Sequence, residues 1–221
     1  VQRAAWHPEA DDGPTLVADA FGEEGMAPSV PGPLLRVPAG TRVRAAVRNA
    51  LADTLLVMGL ADAEAARSDT LRIAPGDVAR TDFVAREPGT RLYYGARVRG
   101  DSLRVVTGEG GQLVGALVVD PSDPPDTPDA PPDRVFVLTE WVAQAPDVPE
   151  LLGMFINGKS WPYTERLHLA TGDTARWRIV NGGREHPMHL HGFHFRVDSR
   201  GDWSRDTVYA PEQRRLVVTE T

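Results

Sequence analysis

The chain has 221 residues, which suffice for one large β domain or for two domains of about a hundred residues each. Its formal net charge of -7 and its isoelectric point near 5.4 argue against nucleic acid as a partner. No apolar run reaches the length of a transmembrane helix. Cysteine is absent, which excludes disulfides, zinc-thiolate sites and a thiolate-bound copper within these residues.

Short β-type runs broken by glycine and proline dominate the chain, and the only modest helical candidate is Asp62–Arg67. Thr41–Arg48 alternates arginine with small apolar residues, as a half-buried strand does. We predict further strands at Val78–Val84, Leu113–Val119, Val135–Thr139, Ala175–Val180, Phe193–Val197 and Arg214–Val218. Many short strands separated by turn residues predict β-sandwiches or barrels.

A proline- and aspartate-rich segment divides the chain. Pro121–Asp133 carries six prolines and four aspartates, so it cannot pack a core and is typical of a semi-rigid linker. We therefore predict a first domain over residues 1–120, a linker over 121–133 and a second domain over 134–221.

An internal repeat supports two domains of the same architecture. Leu35 precedes Gly40 by five residues and Asn49 follows that glycine by nine; Leu167, Gly172 and Asn181 repeat both intervals. A glycine at this position fits a turn between two strands, where a positive φ is free of strain. Shortly after each asparagine the copies diverge, because the second has histidines where the first has Leu56 and Met58.

The densest group of candidate ligands is His186-Pro187-Met188-His189-Leu190-His191-Gly192, which holds three of the six histidines. Pro187 disfavours a helix, so we expect an extended segment. Side chains alternate along a strand, and His189 and His191 therefore point the same way and can hold one metal site together, while His186 can serve a neighbouring site. Paired imidazoles without an acidic neighbour favour copper.

Two other interpretations of this cluster stay open. It can be a surface histidine group without a metal, or a zinc hydrolase site built on His189 and His191. Catalytic zinc usually has a third protein ligand and a positioned acid or base, but Glu185 only precedes the cluster and Asp198 lies seven residues past His191. Arg184 and Glu185 are interpreted as a solvated pair, with orientation of the site as the alternative.

Several segments occur in the order found in one family. They are Pro31–Val37 with Gly40 and Asn49, then Gly89–Tyr94, Gly115–Val119, Phe155–Lys159 and the HPMHLHG stretch. Together they resemble the multicopper oxidases, laccase-like enzymes built from cupredoxin domains. The resemblance implies an all-β fold with two cupredoxin-like Greek-key β-barrel or sandwich domains, of which the second binds copper.

The resemblance also implies a function. It implies one-electron oxidation of a phenolic or metal-ion donor coupled to reduction of dioxygen, in a secreted or periplasmic oxidoreductase. The charge and the lack of a long apolar run add that we expect neither a nucleic-acid partner nor a membrane span. His186 would be a type 1 copper ligand, His189 a type 2 ligand and His191 a type 3 ligand, with no catalytic residue beyond these. In two-domain members of the family the trinuclear sites form between subunits of a homotrimer, so a homo-oligomer is a further implication.

The sequence departs from the family pattern in two places. Where the first domain of the family supplies two His-x-His pairs, this chain has Leu56-Val57-Met58 and Tyr94-Gly95-Ala96. Met58 is a candidate soft ligand for Cu(I), although buried packing is the favoured interpretation. The closing His-Cys-His strand of the family would follow Thr221, and we expect a trimmed chain that continues into it, leaving the second domain incomplete at residue 221.

These departures leave two functions open. If the chain continues beyond residue 221, we expect a multicopper oxidase. Otherwise we expect a copper-binding or structural cupredoxin protein that has lost oxidase activity.

Overall fold

The computed structural model describes residues 1–64, 69–99, 102–104, 112–122, 133–145, 148–184, 186–202 and 205–220, and within them the fold is all-β. This confirms the predicted fold class. Residues 123–132 of the predicted linker and residues 65–67 of the helical candidate lie outside the described residues. Across the described ranges, no helix is both long and apolar enough to cross a membrane.

Nineteen strands lie in the described residues. They are β1 (Gln2–Trp6), β2 (Leu16–Ala20), β3 (Leu35–Pro38), β4 (Thr41–Arg48), β5 (Thr54–Met58), β6 (Leu71–Ile73), β7 (Val78–Ala85), β8 (Gly89–Arg99), β9 (Ser102–Arg104), β10 (Val114–Asp120), β11 (Asp133–Ala145), β12 (Val148–Ile156), β13 (Arg176–Asn181), β14 (Met188–His189), β15 (Phe195–Val197), β16 (Ser199–Gly201), β17 (Asp206–Val208), β18 (Arg215–Val217) and β19 (Thr219–Glu220). A single turn of 3-10 helix, Pro211–Gln213, precedes β18.

The first half of the molecule, residues 1–122, is built on a six-stranded sheet. Its order is β3-β10-β8-β5-β6, with β9 paired to β8, and β3 runs parallel to β10. A β4–β7 pair and a β1–β2 pair complete this half. Along β4 the arginines Arg42 and Arg44 are exposed while Val47 is buried, as the alternating sequence predicts.

The second half, residues 133–220, has a three-stranded sheet of order β12-β11-β13, in which β13 runs parallel to β11. Its later strands form three antiparallel pairs, β14–β19, β15–β18 and β16–β17. Gly40 and Gly172, at matching positions of the repeat, both have positive φ, of 86° and 97°. The predicted glycine turns are therefore confirmed in both halves.

Strand β10 lies at the junction of the two halves and is buried on both faces. Leu117 and Val119 join the core of the first half. Val114 and Ala116, which point the other way, form a second cluster with Val137 and Val180 of the second half. The junction is therefore a small hydrophobic core of its own. Burying one valine side chain stabilises the folded state by about 1.5–3 kcal/mol.

Polar contacts also connect the halves. Asp133 accepts hydrogen bonds from Arg36 of β3 and Arg178 of β13, and Arg178 in turn donates to the Thr90 hydroxyl at 2.8 Å. Trp6 packs its ring edge-on against Phe155, with centroids 4.7 Å apart, and donates from Nε1 to the Gly158 carbonyl at 2.7 Å. The division at residues 121–133 stays a prediction, but the flanking halves pack directly together.

Candidate metal centre

The predicted ligand segment is extended only over a short stretch. Met188 and His189 form β14, which pairs with Glu220 and Thr219 of β19, and Leu190 N–H donates to the Val218 carbonyl at 3.3 Å. The strand then gives way to a turn at His191 and Gly192, where Gly192 has a φ of 79°.

The two histidines that flank Leu190 converge. The Nε2 atoms of His189 and His191 lie 3.1 Å apart, with ring centroids at 4.7 Å and ring planes at 55°, and both side chains are exposed. A hydrogen bond between these two atoms requires one ring to carry a proton on Nε2 and the Nε2 of the other ring to accept it. Metal binding would displace that proton, because a ligating nitrogen must be unprotonated.

This separation fits a metal ion bound by both rings. With metal–nitrogen bonds of about 2.0–2.1 Å, two nitrogens at an angle of about 90–110° on one ion lie about 2.8–3.4 Å apart. The observed 3.1 Å falls inside this range. Two neutral imidazoles are a donor set that copper accepts well. The geometry therefore fits one shared ion, whereas the family resemblance assigns the two rings to neighbouring ions.

The other histidines of the region do not join the pair. His186 and His194 are exposed, and among the described residues no three His, Cys, Asp or Glu side chains come together as a metal site. A zinc hydrolase site on His189 and His191 thus finds no third ligand within the described ranges. The assignment of His186 to a separate site stays a prediction.

The positions that carry histidine in the first domain of the family are apolar neighbours here. Leu56 pairs with Ala96 across β5 and β8, and Met58 pairs with Tyr94. Tyr94 packs against the junction cluster, and burial raises the pKa of its phenol above the ordinary value. The two segments, in β5 and β8, are therefore adjacent in the structure, but they form a packed strand pair with no imidazole at these four positions.

One residue near the segment was missed by the sequence interpretation. Glu140, on β11, is buried, and its carboxylate accepts hydrogen bonds from both the backbone N–H and the guanidinium of Arg184. The interpretation of Arg184 and Glu185 as a solvated pair stays a prediction, because Glu185 lies outside the described residues; the Arg184 side chain is 58% exposed and its guanidinium is also bound by Glu140. In the sequence, the only signal for this contact was an acidic residue directly after the predicted apolar strand Val135–Thr139.

Comparisons with known proteins agree with this architecture. Residues 126–220 match the family model described as multicopper oxidase. The blue copper oxidase from Nitrosomonas europaea is 26% identical, aligned over 99% of this chain and 68% of that one, with a TM-score of 0.67. The multicopper oxidase mgLAC is 21% identical over 99% of this chain and 69% of that one, with a TM-score of 0.70.

A third solved structure widens the comparison. The copper-containing nitrite reductase NirK from Thermus scotoductus SA-01 is 22% identical over 97% of this chain and 50% of that one, with a TM-score of 0.65. At this level of identity the likeness to NirK and to mgLAC concerns the fold alone. A search of curated proteins found no match to the chain.

The fold defines the class of protein: an all-β chain of cupredoxin type with a histidine-rich segment on its second half. The family match covers residues 126–220, so the second half of the chain is similar to the multicopper oxidases, and the solved structures extend the shared fold to the first half. The resemblance noted from the sequence is thereby confirmed.

Proposed function

We propose that the protein is a copper-dependent oxidoreductase that takes electrons one at a time from a phenolic or metal-ion donor and passes them to dioxygen. Four such oxidations, with four protons, reduce one dioxygen to two waters. The observation that carries the proposal is the convergence of His189 and His191 at 3.1 Å in the half of the chain that matches the multicopper oxidase family model. Copper bound there supplies the one-electron redox chemistry.

The protein's own residues bind and present the metal. His189 and His191 would hold it through Nε2, and the β14–β19 pairing fixes the backbone that carries His189. Both rings are exposed, so a small donor can approach the site directly. On the model of the family, we assign His186 as a type 1 ligand, His189 as a type 2 ligand and His191 as a type 3 ligand; this assignment to neighbouring ions is the alternative to the shared ion that the 3.1 Å separation fits. We also propose that the second domain binds the copper and that the protein is secreted or periplasmic.

The test is copper-dependent oxygen consumption. The protein loaded with copper is given a phenolic donor or ferrous iron, and dioxygen uptake is followed with an oxygen electrode. We expect sustained uptake that is lost in His189→Ala and His191→Ala but kept in His194→Ala. Copper-loaded protein that consumes no oxygen with either donor would contradict the enzymatic proposal.

A second function has its own supporting observation. The four apolar positions Leu56, Met58, Tyr94 and Ala96 occupy the paired strands β5 and β8 where the family has histidines. They favour a cupredoxin protein that binds or carries copper without oxidising a donor. The two functions differ in one result: the carrier takes up copper in a fixed ratio to protein, while oxygen is not consumed.

A further inference from the structure

The segment that carries the histidine pair begins from a tight turn, Asn181–Arg184. Asn181 Oδ1 accepts the Gly183 N–H at 3.0 Å, and its Nδ2 donates to the Arg184 carbonyl at 2.7 Å. Gly182 N–H donates to the Leu138 carbonyl of β11 at 2.8 Å. His186 follows this turn two residues later, so the position of the turn sets where the ligand segment starts.

Glu140 binds the end of the turn. Its Oε1 accepts the Arg184 backbone N–H at 2.8 Å, and its two carboxylate oxygens lie 3.1 and 3.0 Å from Arg184 Nε. The Glu140 side chain is 7% exposed and that of Arg184 is 58% exposed. A Cβ on Gly183 would lie 3.2 Å from Glu140 Cγ, so glycine there lets the turn approach the carboxylate closely.

The first half of the molecule also contributes to this contact, because it binds the backbone of Glu140. Gln112, which is fully buried, donates from Nε2 to the Glu140 carbonyl at 2.8 Å. A Cβ on Gly182 would lie 2.8 Å from Val114 Cγ2. The turn is therefore held between β11 and the junction face of β10, and the first half contributes to its placement without supplying a ligand.

The energetics suggest a role other than stability for Glu140. Desolvating a carboxylate is costly, and a buried ion pair is often no more stabilising than an apolar pair of the same volume. Here the partner is a mostly exposed arginine, which weakens the pair further. What the carboxylate supplies is direction, because it binds a backbone N–H and a guanidinium of one residue and so fixes that residue's orientation.

We propose that Glu140 is a positioning residue for the metal centre. By holding Arg184 it fixes the start of the segment, the β14–β19 pairing fixes the backbone at His189, and the turn that follows brings His191 to 3.1 Å from His189. The inference rests on the proposed metal-binding function of these two histidines.

The test compares Glu140→Gln with a matched carboxylate elsewhere. Asp62 is 13% exposed and binds both the backbone N–H and the guanidinium of Arg86, whose side chain is 65% exposed. Asp62→Asn therefore removes the same kind of contact in the first half. Copper(II) affinity is measured by competition titration, alongside the melting temperature of each variant.

We expect Glu140→Gln to weaken copper(II) binding roughly tenfold, the scale on which loss of supporting groups lowers metal affinity, while Asp62→Asn leaves the affinity unchanged. In the metal-free protein, the ring resonances of His189 and His191 should shift in Glu140→Gln and stay in place in Asp62→Asn. If Glu140→Gln does not fold, Arg184→Gln breaks the same contact at an exposed side chain, and a smaller affinity loss in the same direction is expected because the backbone at residue 184 keeps its N–H.

The outcomes separate the two claims. Wild-type affinity together with unshifted ring resonances in Glu140→Gln, or in Arg184→Gln where it replaces that variant, overturns the positioning role, even if the melting temperature falls. Failure of the wild-type protein to bind copper(II) at His189 and His191 overturns the proposed function, and the shift of the metal-free resonances then still decides whether Glu140 positions the segment.

Discussion

The two halves end corresponding strands in the same way and then diverge. At the end of β4, Asn49 Oδ1 accepts the N–H of Leu51; at the end of β13, Asn181 Oδ1 accepts the N–H of Gly183. After the first turn comes β5, whose Leu55 and Val57 are fully buried in a sheet. After the second comes the two-residue strand β14, followed by exposed imidazoles.

The contrast between β5 and β14 shows how the burial of a strand determines which side chains it can carry. A strand inside a sheet with packed faces favours apolar side chains, because an unpaired polar ring there would lose its water without compensation. At the edge of the second half the rings remain hydrated and free to bind a metal. The large exposed hydrophobics also concentrate in this half, with Phe193 at 70% and Leu216 at 73% exposure. The same kind of turn therefore precedes a buried strand in one half and exposed imidazoles in the other.

The largest expected effect is on stability in the first half. Leu55→Ala removes a fully buried side chain from the core and should lower the free energy of unfolding by about 4 kcal/mol. Leu216→Ala, at an exposed position of β18, should change it by less than about 0.5 kcal/mol. Denaturant unfolding of both variants measures the contrast, and equal losses would contradict the difference in packing between the halves.

The second prediction concerns the ion pair that joins the halves. Burial alone would raise the pKa of the Asp133 carboxyl, but hydrogen bonds from Arg36 and Arg178 outweigh it and lower the pKa below the ordinary 3.8. Asp133→Asn should lower the free energy of unfolding at neutral pH by about 3 kcal/mol.

The pH dependence of that loss has a defined sign. Because the folded-state pKa of Asp133 is depressed, its stabilising contribution is complete above the unfolded value of 3.8 and disappears as the pH falls through the lower folded value. The free energies of unfolding of the wild-type protein and of Asp133→Asn, measured against pH, should therefore converge below about pH 3.8. A difference between them that is constant across this window would contradict the assignment.

The third prediction sharpens the contrast between the paired histidines and their neighbour. His189→Ala or His191→Ala leaves one ring where two converge, and copper(II) affinity should fall by about 100-fold or more, beyond the usual effect of supporting groups. His194→Ala removes an exposed histidine of the same region and should leave the affinity unchanged. Isothermal titration of the three variants checks this, and equal losses in all three would indicate nonspecific binding.

The smallest effect is expected at Met58. If this side chain only packs against its strand neighbours, Met58→Leu preserves its volume and should change the free energy of unfolding by less than about 1.5 kcal/mol. Copper(I) affinity, measured by competition with a chromogenic chelator, should be unchanged. A clear loss of copper(I) affinity would instead make Met58 a thioether ligand and remove the contrast between the halves.

Much of the fold followed from local patterns. The alternation in Thr41–Arg48 predicted β4 to the residue, and the glycine and asparagine of the repeat predicted turns at Gly40 and Gly172. The copies are not identical in detail, because Leu35 begins a strand while Leu167 does not. The predicted strand at Phe193–Val197 begins only at Phe195, since the turn at Gly192 occupies the preceding residues.

The site was predictable in part. Strand alternation predicted that His189 and His191 would face the same way, and the rings do converge, although β14 ends at His189 and a turn rather than a continuous strand brings the second ring into place. The contact of Glu140 with Arg184 spans 44 residues, and no local pattern encodes such a pairing. The side-chain environment of Met58 likewise depends on β8, which is distant in sequence.

The central claim is that copper binds first at the His189–His191 pair. Paramagnetic copper(II), added in substoichiometric amounts, broadens the NMR signals of nearby protons, so the imidazole resonances of the six histidines report where it binds. We expect the ring signals of His189 and His191 to broaden before those of His7, His168 and His194. Equal broadening of all six, or earlier broadening of rings outside the pair, would contradict the assignment.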